Sequence, residues 1–284
     1  MRQEPIVVGV DGSGWGEAAL DWALTEARRR VAPLVVLHAF EWPVMGVPLS
    51  GVPAGYDPRQ AARRMLLDAA ARARYRAADG DVDVDVTSLL ETGPAARVLL
   101  AEGRRAGLLV VGSRGLGGFS GLLAGSVATT VAEHAPRPVV VVRGDGMHRT
   151  DGPVLVGVDG PAADTAIGWA FDAANRYPAT LVAVHAWPPG PDRVPEPTDP
   201  DEEQAAARTD EQLGRWQQKY PRVPVDQVDV RGHPAAVLAE QSAGARLAVV
   251  GARGRGGFGR VLLGSTSQAL LRYAPCPVAV VREA

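Results

Sequence analysis

Two stretches of the chain carry the same glycines and hydroxyls at one spacing. In LLVVGSRGLGGFSGLLAGSVATTVAEHAPRPVVVVR (residues 108–143), two residues separate Gly112 from Gly115, and nine separate Gly115 from the pair Gly125–Ser126. In LAVVGARGRGGFGRVLLGSTSQALLRYAPCPVAVVR (247–282), Gly251, Gly254 and the pair Gly264–Ser265 repeat that spacing. The chemistry these residue types serve is anion binding. A glycine ending a strand lets the backbone turn sharply, including through φ > 0. Further glycines, lacking Cβ, let a ligand approach main-chain N–H groups. A Gly-Ser pair opening a helix adds a hydroxyl, free N–H groups and the positive end of the helix dipole, which suits phosphate. One copy alone reads as a glycine-rich surface turn; two copies, each between an apolar strand and a helix, read as a phosphate loop. Arg114 and Arg253 occupy matching loop positions, either as phosphate caps or as solvated loop arginines.

The rest of the chain supplies elements to hold these loops. IVVGVDGSG (6–14) is an apolar strand ending in Asp11 and a turn. Residues 17–30 show helical spacing, with Ala19, Trp22, Ala23 and Ala27 on one face. PLVVLHAF (33–40) is a strand apolar enough to be covered on both faces. A Pro/Gly-rich loop (41–58), an Ala/Arg-rich helix (59–79), a strand opening with strict alternation (82–90) and a turn-plus-helix (92–107) lead to the glycine segment.

The second copy repeats this order. VLVGVDG (154–160) matches VVGVDG, LVAVHAW (181–187) matches VVLHAF, and RGHPAAVLAEQ (231–241) mirrors ETGPAARVLLAE. A loop at 188–200, a helix at 201–220 and a strand at 223–230 fill the middle. The offset is 148 residues from Asp11 to Asp159, 147 from His38 to His185, and 139 from Gly93 to Gly232 and from Gly112 to Gly251. One duplication with a middle shortened in the second copy accounts for these offsets. The chain thus divides into domain 1 (1–143), a polar glycine-rich linker (144–152) and domain 2 (153–284), each a β-α-β-α-β-α-β-α-β unit.

Alternating apolar strands and helices predict an α/β fold: two tandem five-stranded parallel sheets with helices on both faces. Ligands of such sheets sit beyond the carboxyl ends of the strands where strand order reverses. With strand order 3-2-1-4-5, Asp11 at the end of strand 1 and Gly112 at the end of strand 4 are neighbours. A carboxylate then faces the phosphate loop, where the Mg²⁺ of a nucleotide requires one.

Composition narrows the function. With 284 residues, 46% of them hydrophobic, two ordinary cores can form. A net charge of −2 gives no general attraction to nucleic acid or an anionic membrane. No apolar run is long enough to span a bilayer, and the start lacks a signal-peptide layout. The single cysteine, Cys276, excludes an internal disulfide and fits a reducing cytoplasm. Its place in APCPVAVV makes it a small core-edge residue.

Other signals have plainer readings. Gly254, Gly256 and Gly259 satisfy G-x-G-x-x-G, but that fingerprint belongs after a first strand, and the first copy has Ser120 at the third position. No Lys follows either Gly-Ser pair, so a Walker A loop is absent. His38 and His185 recur without a recurring second metal ligand and read as buried, hydrogen-bonded histidines near the pocket. Trp22 and Trp169 read as core, and Asp81, Asp83 and Asp85 as a solvated strand face.

Gly-x2-Gly-x9-Gly-Ser after strand 4, together with a V-G-V-D start, resembles the ATP-binding branch of the universal stress protein family, in its tandem two-domain form. The resemblance runs along nearly the whole chain. It implies an adenine-nucleotide α-hydrolase-like, Rossmann-like fold. Carried over residue by residue, Gly112, Gly115, Gly125, Ser126 and Val127 hold phosphates and ribose, with Gly9, Asp11 and Ser13 from the first turn. Asp11 then lies near ribose or Mg²⁺, and Ala39 beside the adenine. The counterparts in the second copy are Gly251, Gly254, Gly264, Ser265, Thr266, Gly157, Asp159 and Ala186. One departure stands out: Ser13 corresponds to Pro161, so the second site lacks a hydroxyl and a backbone donor there.

The last strands, PVVVVR (138–143) and PVAVVR (277–282), are apolar edges, and an uncovered edge of this kind invites association. Antiparallel pairing of the two copies covers both, as the resemblance also implies; dimerisation of the whole chain stays open. The leading functional expectation is a nucleotide-dependent regulator or sensor that binds ATP with Mg²⁺. The alternative is a slow ATPase or nucleotidyl-transfer enzyme, since fold does not fix function. No His, Lys or Cys recurs beside the glycine loop as a base or nucleophile, which favours the regulator.

Overall fold

Apolar, β-branched runs punctuated by helices of period 3.6 have one economical solution, a sheet with helices on both sides. The computed structural model describes residues 3–42, 56–79, 82–116, 124–143, 151–187, 200–252 and 263–282, and it adopts that solution twice. The first half runs β1 (Ile6–Gly9), α1 (Gly14–Arg30), β2 (Leu34–Phe40), α2 (Pro58–Ala78), β3 (Val86–Thr92), α3 (Ala95–Gly103), β4 (Leu108–Gly112), α4 (Ser126–His134) and β5 (Val139–Val142). The second runs β6 (Val154–Val158), α5 (Asp164–Arg176), β7 (Leu181–Trp187), α6 (Pro200–Lys219), β8 (Val225–Arg231), α7 (Pro234–Gln241), β9 (Leu247–Gly251), α8 (Ser265–Tyr273) and β10 (Val278–Val281). A 3-10 turn, Pro161–Ala163, precedes α5.

Strand order is 3-2-1-4-5 in the first half, and the second half follows the same order. Within each half the pairs are parallel. The two five-stranded units join into a single ten-stranded sheet, because β5 pairs antiparallel with β10 and brings Val141 opposite Val278, Val140 opposite Ala279 and Val139 opposite Val280. Each half thus covers the apolar edge of the other. Side chains of α1, α2, α5 and α6 pack on one face of this sheet, and those of α3, α4, α7 and α8 on the other. Trp22 and Trp169 are half-buried against the first of these cores.

The third strand starts later than the alternation predicts. Val84 and Val86 are buried while Asp83 and Asp85 are exposed, yet the ladder begins only at Val86. Its partner β2 begins at Leu34, opposite Val86, and the bond from the Leu34 amide to the Asp85 carbonyl at 2.9 Å leads into the ladder. At the other end the strand runs on through Glu91 and Thr92. Asp81 and the greater part of the two long loops and the linker lie outside the described residues.

The halves also meet through charge. Glu26 on α1, 1% exposed, accepts from Arg30 Nε at 2.5 Å and from the Tyr177 hydroxyl at 2.6 Å, with Arg176 Nη2 at 3.4 Å. The Tyr177 ring has Arg29 at 4.7 Å from its centroid and Arg246 at 4.9 Å. Burial first, and then Glu26, holds the Tyr177 phenol well above the ordinary tyrosine range. Tyr177 therefore acts here as a proton donor to a buried carboxylate that belongs to the other half.

Candidate functional site

At the carboxyl ends of β1, β2 and β4 lies a cavity of about 480 Å³. β1 sits between β2 and β4 in the sheet, which gives the cavity two unlike sides. The β2 side is formed by Val10, Leu37, His38 and Ala39 with Leu99 of α3, and is mainly apolar. The β4 side is formed by Gly112, Arg114, Gly115 and Leu116 with Gly125, Ser126, Val127 and Ala128 at the start of α4. Gly125 is the N-cap of α4 and has no side chain to occupy the helix N–H groups, so these remain available at the positive end of the dipole. Ser126 is the first helical residue and is exposed.

Asp11 organises the floor between the two sides. Its Oδ1 accepts from the Ser13 amide at 3.0 Å and the Ser13 hydroxyl at 2.5 Å. Its Oδ2 accepts from the Leu116 amide at 2.9 Å, across from β1 into the loop that follows β4. A carboxylate predicted to face ribose or metal is thus also the fastening of the glycine loop. Ser13 uses its hydroxyl on Asp11 and accepts from the Gly16 amide at 3.1 Å, which N-caps α1, and it does not line the cavity.

The glycines are required for reasons that sequence reading assigned differently. Gly112 is not at positive φ; Gly12, Gly93 and Gly160 are. A Cβ on Gly112 would stand 2.6 Å from the Trp15 carbonyl oxygen, so its bareness admits the first turn of α1. A Cβ on Gly115 would stand 2.5 Å from Asp11 Oδ2, so its bareness admits the carboxylate at the cavity that both residues line. Gly9 would meet Leu99 Cδ2 at 2.9 Å, and Gly157 would meet Leu238 Cδ1 at 2.9 Å, the same requirement in both halves.

Arg114, left open as cap or solvated residue, lines the cavity and lies 5.4 Å over the Trp15 ring. His38 is half-buried, with Nδ1 2.7 Å from the Val10 carbonyl oxygen, and it lines the cavity too. His185 is buried, with Nδ1 3.3 Å from Asp229 Oδ1. Sequence reasoning missed Leu99 and Ala95 of α3 as lining residues; the mirrored ETGPAARVLLAE and RGHPAAVLAEQ segments were their only trace.

In the second half the frame of the loop recurs. The Gly125 amide bonds the Ser113 carbonyl at 2.7 Å, and the Gly264 amide bonds the Ala252 carbonyl at 2.8 Å. The Ser113 amide bonds Val142 O at 2.8 Å, and the Ala252 amide bonds Val281 O at 2.7 Å. Gly264 caps α8 without a side-chain bond, as Gly125 does α4. Gly157, Ala186, Gly251, Gly264 and Thr266 are half-buried, while Asp159 and Ser265 are exposed, all at or beyond the carboxyl ends of β6, β7 and β9. Arg253 and Gly254, with Gly256 and Gly259, lie outside the described residues.

Cys276 is buried, and desolvation pushes its thiol up to about 12, as befits a packing residue. Among the described residues no group of three His, Cys, Asp or Glu side chains is placed to hold a metal ion. Among them, too, no helix is long and apolar enough to cross a membrane.

A tandem, doubly wound α/β protein with a glycine loop at the switch point of its first half, and the same backbone frame in its second, is the class that fold and site define. The universal stress protein family model matches residues 3–143 and again 152–282, and the chain belongs to that family. A universal stress protein of Mycolicibacterium smegmatis is 37% identical over 283 residues, covering 98% of this chain and 96% of the relative. One from Mycobacterium tuberculosis is 37% identical over 292 residues, with 98% and 96% covered. Among solved structures, a universal stress protein from Archaeoglobus fulgidus superposes with a TM-score of 0.73 over 100% of both chains at 20% identity, a likeness of fold.

Proposed function

We propose that this chain is an ATP-binding regulator of the stress response, whose output is nucleotide occupancy and not turnover. The observation that carries this reading is the two-sided cavity of the first half. Its β2 side is apolar, with Val10, Leu37, Ala39 and Leu99 suited to a base, and its β4 side gathers Arg114 and the uncapped N–H groups of α4, suited to phosphates. A volume of about 480 Å³ is ordinary for a small-molecule site. We extend the proposal to a second site built on Gly157, Asp159, Ala186, Gly251, Arg253, Gly254, Gly264, Ser265 and Thr266.

Mg²⁺ fits this donor set as a companion of the triphosphate. Among the described lining residues Asp11 carries the one carboxylate, and each of its oxygens already accepts a hydrogen bond. Oδ1 already takes two of these bonds, so Oδ2 alone keeps a lone pair to offer and the phosphates would supply most of the coordination. Asp159 is the corresponding residue of the second half.

Fast phosphoryl transfer needs charge neutralised on the γ-phosphoryl and a nucleophile held in line. The described lining offers Arg114 as its one guanidinium, and its carboxylate fastens the loop. Binding ground and transition states through the same backbone donors gives affinity without acceleration. We expect turnover far below the ~10 per second of a typical enzyme.

Calorimetry with ATP on the full chain, and mass spectrometry of nucleotide released on denaturation, test the binding; no ATP bound in either would overturn it. Single-turnover measurement with labelled ATP and Mg²⁺ tests the rest. A rate of about one per second or faster, lost in Asp11→Asn/Asp159→Asn, would replace the regulator with an ATPase or nucleotidyl-transfer enzyme.

A further inference from the structure

The antiparallel junction decides which residues meet across it. The carboxyl end of β5 lies beside the segment leading into β10, and the reverse holds for β10 and β5. Those segments are only Ala274–Pro277 after α8 and Ala135–Pro138 after α4. The residue following each last strand therefore arrives at the carboxyl end of the other half's loop helix. Arg143, after β5, donates from Nη1 to the Leu271 carbonyl of α8. Arg282, after β10, donates from Nη2 to the Glu133 carbonyl of α4 at 2.6 Å and to that of Ala132 at 3.4 Å. Ala132 and Leu271 are equivalent positions in the two copies, as are Arg143 and Arg282.

We propose that Arg143 and Arg282 are positioning residues for the nucleotide sites in trans. Each completes the loop helix of the other half, so the phosphate end of each site is built from both halves. This rests on the nucleotide reading above. A helix leaves its last carbonyls without partners. The C-cap amide of Ala135 takes the Val131 carbonyl, and that of Ala274 takes Leu270, which leaves the next carbonyls to the arginines. A guanidinium there satisfies them and complements the negative end of the dipole.

α4 and α8 have nine residues each, about 13 Å of helix, too short to hold themselves in water. Anchoring the carboxyl end therefore sets where the N–H groups behind Gly125 and Gly264 point. The positive charge at the far end acts on a bound phosphate in the same direction.

The test uses the full chain, with ATP titrated by calorimetry. ATP-induced protection from hydrogen exchange in peptides 124–131 and 263–270 assigns affinity to each site. Arg282→Leu should weaken the first site about threefold to tenfold and leave the second unchanged. Arg143→Leu should do the converse. Arg282→Lys, which restores a cationic donor, should recover most of the loss. If the leucine variants do not fold, Arg282→Gln and Arg143→Gln carry the same test, because they keep a donor and drop the charge.

A merely structural role at a shared junction would weaken both sites alike, so equal losses overturn the proposal. Unchanged affinities, or a loss confined to the variant's own half, overturn it too. A wild-type chain that takes up no ATP instead overturns the nucleotide reading itself.

Discussion

The first and second halves build one loop frame and fasten the aspartate turn beside it in different ways. In the first half, Ser13 bonds Asp11 through amide and hydroxyl, caps α1, and leaves Asp11 to reach the Leu116 amide. In the second, Pro161 stands in the Ser13 position, offers neither donor, and opens a 3-10 turn; α5 then begins without a side-chain cap. The turn is also held from outside. Gln212 of α6 donates to the Gly160 carbonyl at 3.2 Å, and Trp216 donates to Asp164 at 3.1 Å. A Cβ on Gly168 would stand 2.4 Å from the Trp216 ring, so that glycine makes room for this docking. The backbone bonds that shape the loop survive in both copies, because altering them would move a strand. The side chains that hold the turn differ, and so do the groups they engage: the Asp11 carboxylate and the Gly16 amide in the first half, the Gly160 carbonyl and the Asp164 carboxylate in the second.

Parting the halves would break the comparison most severely. Glu26→Ala leaves Arg30 and Arg176 facing a buried gap and Tyr177 without its acceptor, and should lower stability by about 3–5 kcal/mol. Urea unfolding followed by tryptophan fluorescence checks this. A loss under about 1 kcal/mol would mean that the cluster behaves like a surface pair.

Next in size is a change confined to one half. Gly115→Val drives a branched side chain against the Asp11 carboxylate and should weaken first-site ATP binding about tenfold or more, with the second site intact. A variant that binds ATP in its first site as tightly as the wild type does would sink the assignment of that loop.

The two halves also differ where Cys276 replaces the half-buried Arg137, and alkali should expose the difference. The folded thiol is raised to about 12 from an ordinary 9.0. Its contribution to stability is therefore complete below pH about 9 and is lost as pH rises toward 12, by about 1.4 kcal/mol per unit at most. The difference in unfolding free energy between wild type and Cys276→Ala, measured above and below pH 9, checks the sign, because subtracting the variant removes the alkaline loss that Tyr177 contributes to both. A native thiol that reacts promptly with a disulfide reagent at pH 8 would contradict the burial.

The smallest effects sharpen the comparison at its centre. Ser13→Ala should cost about 1 kcal/mol, the worth of an N-cap. Pro161→Ser should gain no more than a few tenths, because Gln212 and Trp216 already hold that turn. Paired thermal melts of the two variants decide this, and a larger gain from Pro161→Ser would show that α6 is a poor substitute.

The sequence by itself determined the two-copy layout, the strand order and the location of the loops. Hydrophobic period, glycine spacing and the offsets between copies are local quantities, and the switch point follows from connectivity. It also named half of the first cavity's lining: Gly9, Asp11, Ala39, Gly112, Arg114, Gly115, Gly125, Ser126 and Val127. Only the tertiary structure decided what those residues touch. That Gly112 is bare for the Trp15 carbonyl, that Gly115 is bare for Asp11, and that Leu99 closes the β2 side depend on elements distant in the chain. The same holds for Arg143 and Arg282, visible in sequence as the repeated last residue of PVVVVR and PVAVVR yet without a role there. Their partners are carbonyls on the other copy, and only the antiparallel pairing of β5 with β10 carries a side chain from one half to the end of a helix in the other.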